Sequence, residues 1–256
     1  MGIVNVTPDS FYSASRYRQI DHILETVESM LADGTQMIDV GGQSTRPGAE
    51  RLSAEEECSR VIPAVKAIRS RFPEIVISID TFYGQVAEEA FDAGADLLND
   101  ISAWSIDTDL LRFVSDNKVP YVLMHMQGQP QTMQKSPIYS NISLDVYDFF
   151  TKKISILLEA GCRQIILDPG FGFGKTIMHN YELISNINAF KLLDFPMLIG
   201  LSRKSMIWKL LNATPDDSLN GTLILNTLAL LKGASILRVH DTKPASELLK
   251  IWDIIT

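Results

Sequence analysis

The sequence predicts one α/β domain over residues 1–256, a (β/α)8 barrel of the TIM type, on three observations. Short apolar runs recur about every 25 to 35 residues, which is the spacing of strand, loop and helix units. Amphipathic stretches at helical spacing lie between those runs. The chain length of 256 residues also suits a barrel that needs about 250.

Eight runs end in polar or small residues: Met1 to Asn5, Met37 to Gly41, Val76 to Asp80, Leu97 to Asp100, Tyr121 to His125, Ile165 to Asp168, Met197 to Gly200 and Ile236 to His240. Several are almost continuous Ile, Leu and Val, as parallel strands covered on both faces should be. Helical periodicity marks Ile20 to Leu31, Glu55 to Arg69, Leu144 to Glu159 and Leu219 to Leu231. Ser53 and Glu56 have the spacing of a capping box. Gly34, Gly94, Gly161 and Gly233 each follow a helical run where a left-handed C-terminal cap is expected. No linker, low-complexity tract or charge block divides the chain. An open doubly wound sheet is the alternative, but it favours a Gly-rich first turn, and here that turn reads Val6-Thr7-Pro8-Asp9-Ser10.

Composition narrows the function. Apolar residues make up 46% and charged residues 21%, an ordinary globular balance. A net charge of -8 argues against a nucleic-acid binder, which needs a clustered basic surface. No apolar run approaches the roughly 20 residues of a membrane span, and no signal stretch opens the chain. Cys58 and Cys162 have neither disulfide-framework nor metal-ligand spacing, so they are expected as free thiols in a cytoplasmic protein.

Polar residues gather at the predicted strand ends: Asn5, Asp39, Asp80, Asn99 with Asp100, His125, Asp168, Ser202, and Arg238 with His240. In a barrel these ends converge on one mouth. Any one of them could simply cap a helix or order a loop; together they suggest a site. Carboxylates such as Asp80 and Asp168, with Asn99, can bind the planar N–H and amino edge of an aminopyrimidinone ring. Arg46, Arg203, Lys204, Arg238 and His240 add cations that suit an anionic substrate.

The run from Asp168 to Thr176 resembles a phosphate loop but fails both common templates. A Walker loop needs Gly where Pro169 stands, and the dinucleotide fingerprint needs Gly where Lys175 stands. Its alternating glycines and aromatics instead suggest a tight loop that lays a ring over a flat ligand. His22 and His179 are expected to be structural. The scattered histidines form no transition-metal pattern, whereas Mg²⁺ held mainly by substrate phosphates and one amide oxygen remains compatible.

Five motifs in order, Asn5 to Phe11, Gly41 to Gly48, Asp168 to Lys175, Ser202 to Ser205 and Arg238 to Asp241, resemble the dihydropteroate synthases, over essentially the whole chain. The resemblance implies condensation of 6-hydroxymethyl-7,8-dihydropterin diphosphate with 4-aminobenzoate, with release of pyrophosphate in folate biosynthesis. Sulfonamides target that family. It implies that Asp80, Asn99, Asp168, Lys204, Arg238 and Phe173 hold the pterin, and that Thr45, Arg46, Pro47, Ser202 and Phe173 shape the aminobenzoate pocket. It further implies that Asn5, Arg238 and His240 hold the diphosphate, with Mg²⁺ at Asn5. The resemblance also implies catalytic roles for Asp80, Lys204, Asp9 and Arg46 in an SN1-like mechanism, and a homodimer through outer helices.

The chain departs from the family pattern at Gln43, usually Glu, and at Ser13-Ala14-Ser15, usually Asp-Gly-Gly. Family members also usually carry about a dozen residues before the first strand. Two other classes fit parts of the pattern: a methyltetrahydrofolate-dependent corrinoid methyltransferase barrel, and a catalytically silent pterin-binding paralogue.

Overall fold

The computed structural model describes residues 1–6, 13–43, 51–130, 132–135 and 137–255, with side chains from residue 19 onward in the second stretch. Asp9, Thr45, Arg46 and Pro47 therefore lie outside the described residues.

Among the described residues, eight strands alternate with helices in chain order. They are β1 (Gly2–Asn5), β2 (Met37–Gly41), β3 (Val76–Asp80), β4 (Leu97–Asp100), β5 (Tyr121–Met124), β6 (Ile165–Asp168), β7 (Leu198–Ile199) and β8 (Ile236–Leu237). The helices are α1 (Ser13–Ala32), α2 (Ala54–Arg71), α3 (Gly84–Asp92), α4 (Asp109–Asn117), α5 (Ile142–Glu159), α6 (Ile177–Asn186), α7 (Ser205–Leu210), α8 (Leu219–Leu231) and α9 (Thr242–Ile255).

β1 to β6 pair in parallel and in sequence order, and β7 pairs in parallel with β8. Parallel bridges from Leu167 to Met197 and from Gly2 to Val239 join the two sets and close the barrel. The last two strands are shorter than the apolar runs suggested, because they share only these single bridges with their outer neighbours.

The local signals fold as the residue types require. Ser53 and Glu56 form the reciprocal capping box of α2, at 3.2 and 3.0 Å. Gly34, Gly94, Gly161 and Gly233 take φ of +100°, +110°, +82° and +101°, the left-handed geometry that ends a helix cheaply. Cys58 and Cys162 are free and buried. No helix among the described residues is long and apolar enough to cross a membrane.

Two apolar layers matter for the site. The larger packs helices against the outer face of the strands and includes Ile38, Val40, Ile77, Ile79, Leu98 and Leu123. A small inner cluster of Leu97, Val122 and Leu198, with Ile166 and Ile236 against it, fills the lower barrel. Side chains alternate faces along a strand, so residues two positions further on also point inward, one layer higher. Those residues are Asn99, Met124, Gly200, Asp168 and Arg238. The barrel is thus plugged with hydrocarbon below and lined with polar groups at its C-terminal mouth.

Candidate active site

At the mouth, three strands converge on one guanidinium. Arg238 donates from Nε to Asp39 Oδ2 at 2.6 Å and from a terminal nitrogen to Asp80 Oδ2 at 2.7 Å. Asn99 Nδ2 donates to the same Asp39 oxygen at 3.0 Å. Asp39 is fully buried and has one further oxygen, Oδ1, without a hydrogen bond among the described residues. It therefore orients two ligand-facing groups at once. The sequence places Asp39 among the strand-end polar residues but carries no signal for this role.

Asp80 pairs in register with Gly41 on one side and Asn99 on the other. Burial pushes its carboxyl up to about 7; Arg238 opposes that shift, and Asp39, Asp100 and Asp168 reinforce it. A carboxylate crowded by carboxylates is short of positive charge, so an incoming cation or protonated ring is favoured there. Asp168 is also pushed up by burial, against the pull of Lys204 and the Gly170 amide. Its Oδ1 accepts from Gly170 N at 2.7 Å. The carboxyl group thus orders the loop while sitting on the inner face of the mouth.

Lys204, half-buried, donates to the Phe171 carbonyl oxygen, and its ammonium lies 4.8 Å from the centroid of the Phe173 ring. Burial lowers it to about 8, while Asp168 pulls it back up. Phe171 is core, whereas Phe173 is half-buried at the rim. Beside them lies a cavity of about 680 Å³ bordered by Met133, Phe173, Lys204, Ser205, Trp208 and Lys209, large enough for a ring and its substituents.

Several mouth residues have their polar groups committed elsewhere. Arg203 was grouped with the site cations, but it takes a left-handed φ of +55° and forms a bidentate pair with Asp241 at 3.0 and 2.7 Å. A third contact runs to Asp216 at 2.8 Å, so Arg203 ties the segments just before α8 and α9 to the loop after β7. Ser202 spends its hydroxyl on His240, 3.1 Å from the backbone nitrogen and 3.0 Å from Nδ1, so any effect on an aminobenzoate pocket is indirect. His240 is lowered by burial and by Arg238, which leaves its imidazole neutral until an anion arrives.

Asp100 falls on the opposite pleat from Asn99. It accepts from Ser102 N, Ser102 Oγ, Trp104 N and Tyr121 Oη at 2.6 to 2.7 Å. Those bonds hold Ala103 and Trp104 at φ of +48° and +54°, which is a scaffold role. His125 has its Nδ1 committed to Lys175 at 3.0 Å. His22 is exposed on α1, and His179 caps α6 reciprocally with Thr176.

This arrangement of mouth carboxylates around an arginine has relatives. A family model described as pterin binding enzyme matches residues 1–240. The chain belongs to the pterin-binding enzyme family. It is 44% identical over 254 residues to the dihydropteroate synthase of Haemophilus influenzae, covering 98% of this chain and 92% of that one. It is 43% identical to the Escherichia coli dihydropteroate synthase, over 98% of this chain and 89% of that one. Among solved structures, the Yersinia pestis dihydropteroate synthase in complex with a sulfonamide drug superposes with a TM-score of 0.92 at 41% identity, covering 99% and 92% of the two chains. The Xanthomonas albilineans enzyme with 4-aminobenzoic acid gives a TM-score of 0.90 at 35% identity, covering 99% and 91%.

Within this family member, the expected pterin residues Asp80, Asn99, Asp168, Lys204 and Arg238 share one polar layer, with Phe173 at its edge. Asn5 stands exposed at the end of β1 and His240 just beyond β8. Besides Asp39, the residues without an assigned role are Lys175 and Glu57. Glu57 has no hydrogen bond to its carboxyl oxygens among the described residues, and Lys175, besides two carbonyls of its own loop, reaches His125 across 50 positions.

Proposed function

We infer that the chain is a dihydropteroate synthase, joining 6-hydroxymethyl-7,8-dihydropterin diphosphate to 4-aminobenzoate with release of pyrophosphate. The observation that carries this assignment is the Asp39–Arg238–Asp80 clamp with Asn99, at the ends of four strands. Asp80, Asn99 and Asp168 supply acceptors and an amide to the pterin edge, and Lys204 assists. Arg238, held edge-on by two carboxylates, keeps a planar face for stacking on the ring.

The C–O bond to the diphosphate breaks first, its electron pair leaving with pyrophosphate. Positive charge then spreads into the pterin, where the Asp80 carboxylate stabilises it. The aminobenzoate nitrogen attacks the exocyclic carbon and loses a proton. Asn5, Arg238 and His240 hold the departing diphosphate. Thr45, Arg46, Pro47 and Phe173, with Ser202 through His240, shape the aminobenzoate pocket, and the segments bearing Asp9 and Arg46 exclude water from the cation.

Among the described residues no group of three or more His, Cys, Asp or Glu could hold a metal ion. A single exposed amide oxygen at Asn5 fits Mg²⁺ held chiefly by diphosphate and water. When bound, that ion neutralises charge on the leaving group.

The chain works as a homodimer in the cytoplasm. α8 is apolar on both sides, with Leu225 and Ala229 buried inward and Ile224, Leu228 and Leu231 exposed at 61, 40 and 66%. An outer helix with large apolar side chains exposed to solvent calls for a second cover. Light scattering of the purified chain checks this, and a monomer at micromolar concentration refutes it.

The deciding experiment is pyrophosphate release from the dihydropterin diphosphate and Mg²⁺, with and without 4-aminobenzoate. Release that requires aminobenzoate and matches dihydropteroate formation is expected. Pterin binding without release points to a silent paralogue or a methyltransferase.

A further inference from the structure

Lys175 is 3% exposed, under the loop that joins β6 to α6. Its Nζ lies 2.8 Å from the Gly170 carbonyl oxygen, 3.1 Å from that of Phe173 and 3.3 Å from that of His125. His125 Nδ1 is 3.0 Å away. A lysine head donates and never accepts when charged, and all four neighbours can accept. The four acceptors around Nζ suit an ammonium; burial, with Lys204, pushes Lys175 well below the usual lysine range, and Asp168 pulls it back up. Burial first, and Lys175 second, push His125 down to about 2, so its imidazole stays neutral and Nδ1 is the acceptor.

The loop is shaped around this charge. Gly170, Gly172 and Gly174 take φ of +67°, +81° and +60°. A Cβ at Gly170 would strike the His125 carbonyl oxygen, and one at Gly174 that of Gln127. From the mouth side, Lys204 holds the Phe171 carbonyl and faces the Phe173 ring. The loop is thus gripped by one lysine from beneath and another from above. Asp80, Asn99 and Arg238 stand on other strands and do not depend on this grip.

We propose that Lys175 is a positioning residue for the second substrate: a buried ammonium that fixes the backbone of Phe173, and hence the ring that bounds the aminobenzoate pocket. This rests on the synthase assignment. Lys175→Gln and Lys175→Met in the full chain test it. The KM for 4-aminobenzoate is expected to rise roughly tenfold or more, because a small misplacement of a positioning group is costly in rate. Calorimetric affinity for the dihydropterin diphosphate should fall less than that, since Asp80, Asn99 and Arg238 lie on other strands and only Asp168, Lys204 and Phe173 touch the loop. Equal losses for both substrates, or an unchanged KM, overturn the proposal.

In a Phe173→Ala background the effect of Lys175→Gln should vanish, since the two act as one unit; simple additivity overturns it. If Lys175→Met fails to fold because it strands several buried carbonyls, Lys175→Gln, which can still donate, carries the test. Nitrogen NMR separates the premises: the His125 Nδ1 resonance should move in either variant, and a fixed resonance overturns the ammonium contact whatever the turnover. A wild-type chain that binds pterin but releases no pyrophosphate overturns the synthase assignment alone.

Discussion

The mouth of the barrel holds two cations, a half-buried arginine and a buried lysine, in opposite ways. Arg238, on the inner face just past β8, is compensated by the carboxylates of Asp39 and Asp80. Lys175, at the root of the β6 loop, is surrounded by neutral carbonyl oxygens and an imidazole. A charge paired with side-chain carboxylates can be shared with a ligand, because those carboxylates have other lone pairs to offer. A charge wrapped in backbone carbonyls has nothing to give away and can only hold the chain in place. The first arrangement suits a binding surface and the second a scaffold.

The most severe way to break this contrast is Arg238→Met, which leaves Asp39 and Asp80 facing each other without a cation. We expect turnover to disappear and stability to fall by about 3–5 kcal/mol, the cost of an uncompensated buried charge, measured by urea unfolding. Retained turnover would remove Arg238 from the clamp. Next, Asp80→Asn should leave the fold intact but reduce turnover by about 100-fold or more, as loss of a preorganised stabilising charge does. Pyrophosphate release checks it.

The wild-type pH profile sharpens the same point. Asp80 must be ionised to act and is pushed up to about 7, so kcat/KM should fall as pH drops through that value. A flat profile down to the ordinary aspartate range would contradict the assigned environment. A milder effect is expected of Asp39→Asn. It removes a neighbouring negative charge, so the acid limb of the profile should move to lower pH, and an unmoved limb would count against Asp39 as the electrostatic neighbour.

The smallest effect concerns Glu57 on α2, fully buried, with no hydrogen bond to either carboxyl oxygen among the described residues. Burial pushes it from 4.5 to about 8. Between those values the folded state keeps a proton that the unfolded state has released, so stability falls as pH rises through the window. Glu57→Gln should flatten the dependence of Tm on pH there, and an unchanged slope would assign it to other groups.

The fold was legible to within a residue or two at most strands, because parallel strands covered on both faces are written as continuous apolar runs. The capping box at Ser53 and the glycines after four helices were legible for the same local reason. Within the site, Asp80, Asn99, Asp168 and Arg238 were legible because strand ends in a barrel converge. The division of labour among mouth residues was not. Asn99 and Asp100 are adjacent in sequence, yet the pleat sends one inward and the other to a strained loop. Arg203 and Lys204 are also neighbours, and a left-handed turn gives one to Asp241 and the other to Phe171.

The sequence by itself determined the order and kind of elements, the closed parallel barrel and the polar rim at its strand ends. These depend on hydrophobic periodicity and local backbone preferences, which act over a few residues. Only the tertiary structure decided which polar group serves which partner. Arg238 meets Asp39 across 199 positions and Asp80 across 158, and Lys175 meets His125 across 50. Such pairings follow from strand register and barrel closure, and a buried charge is stabilised by whatever that closure brings within hydrogen-bonding distance.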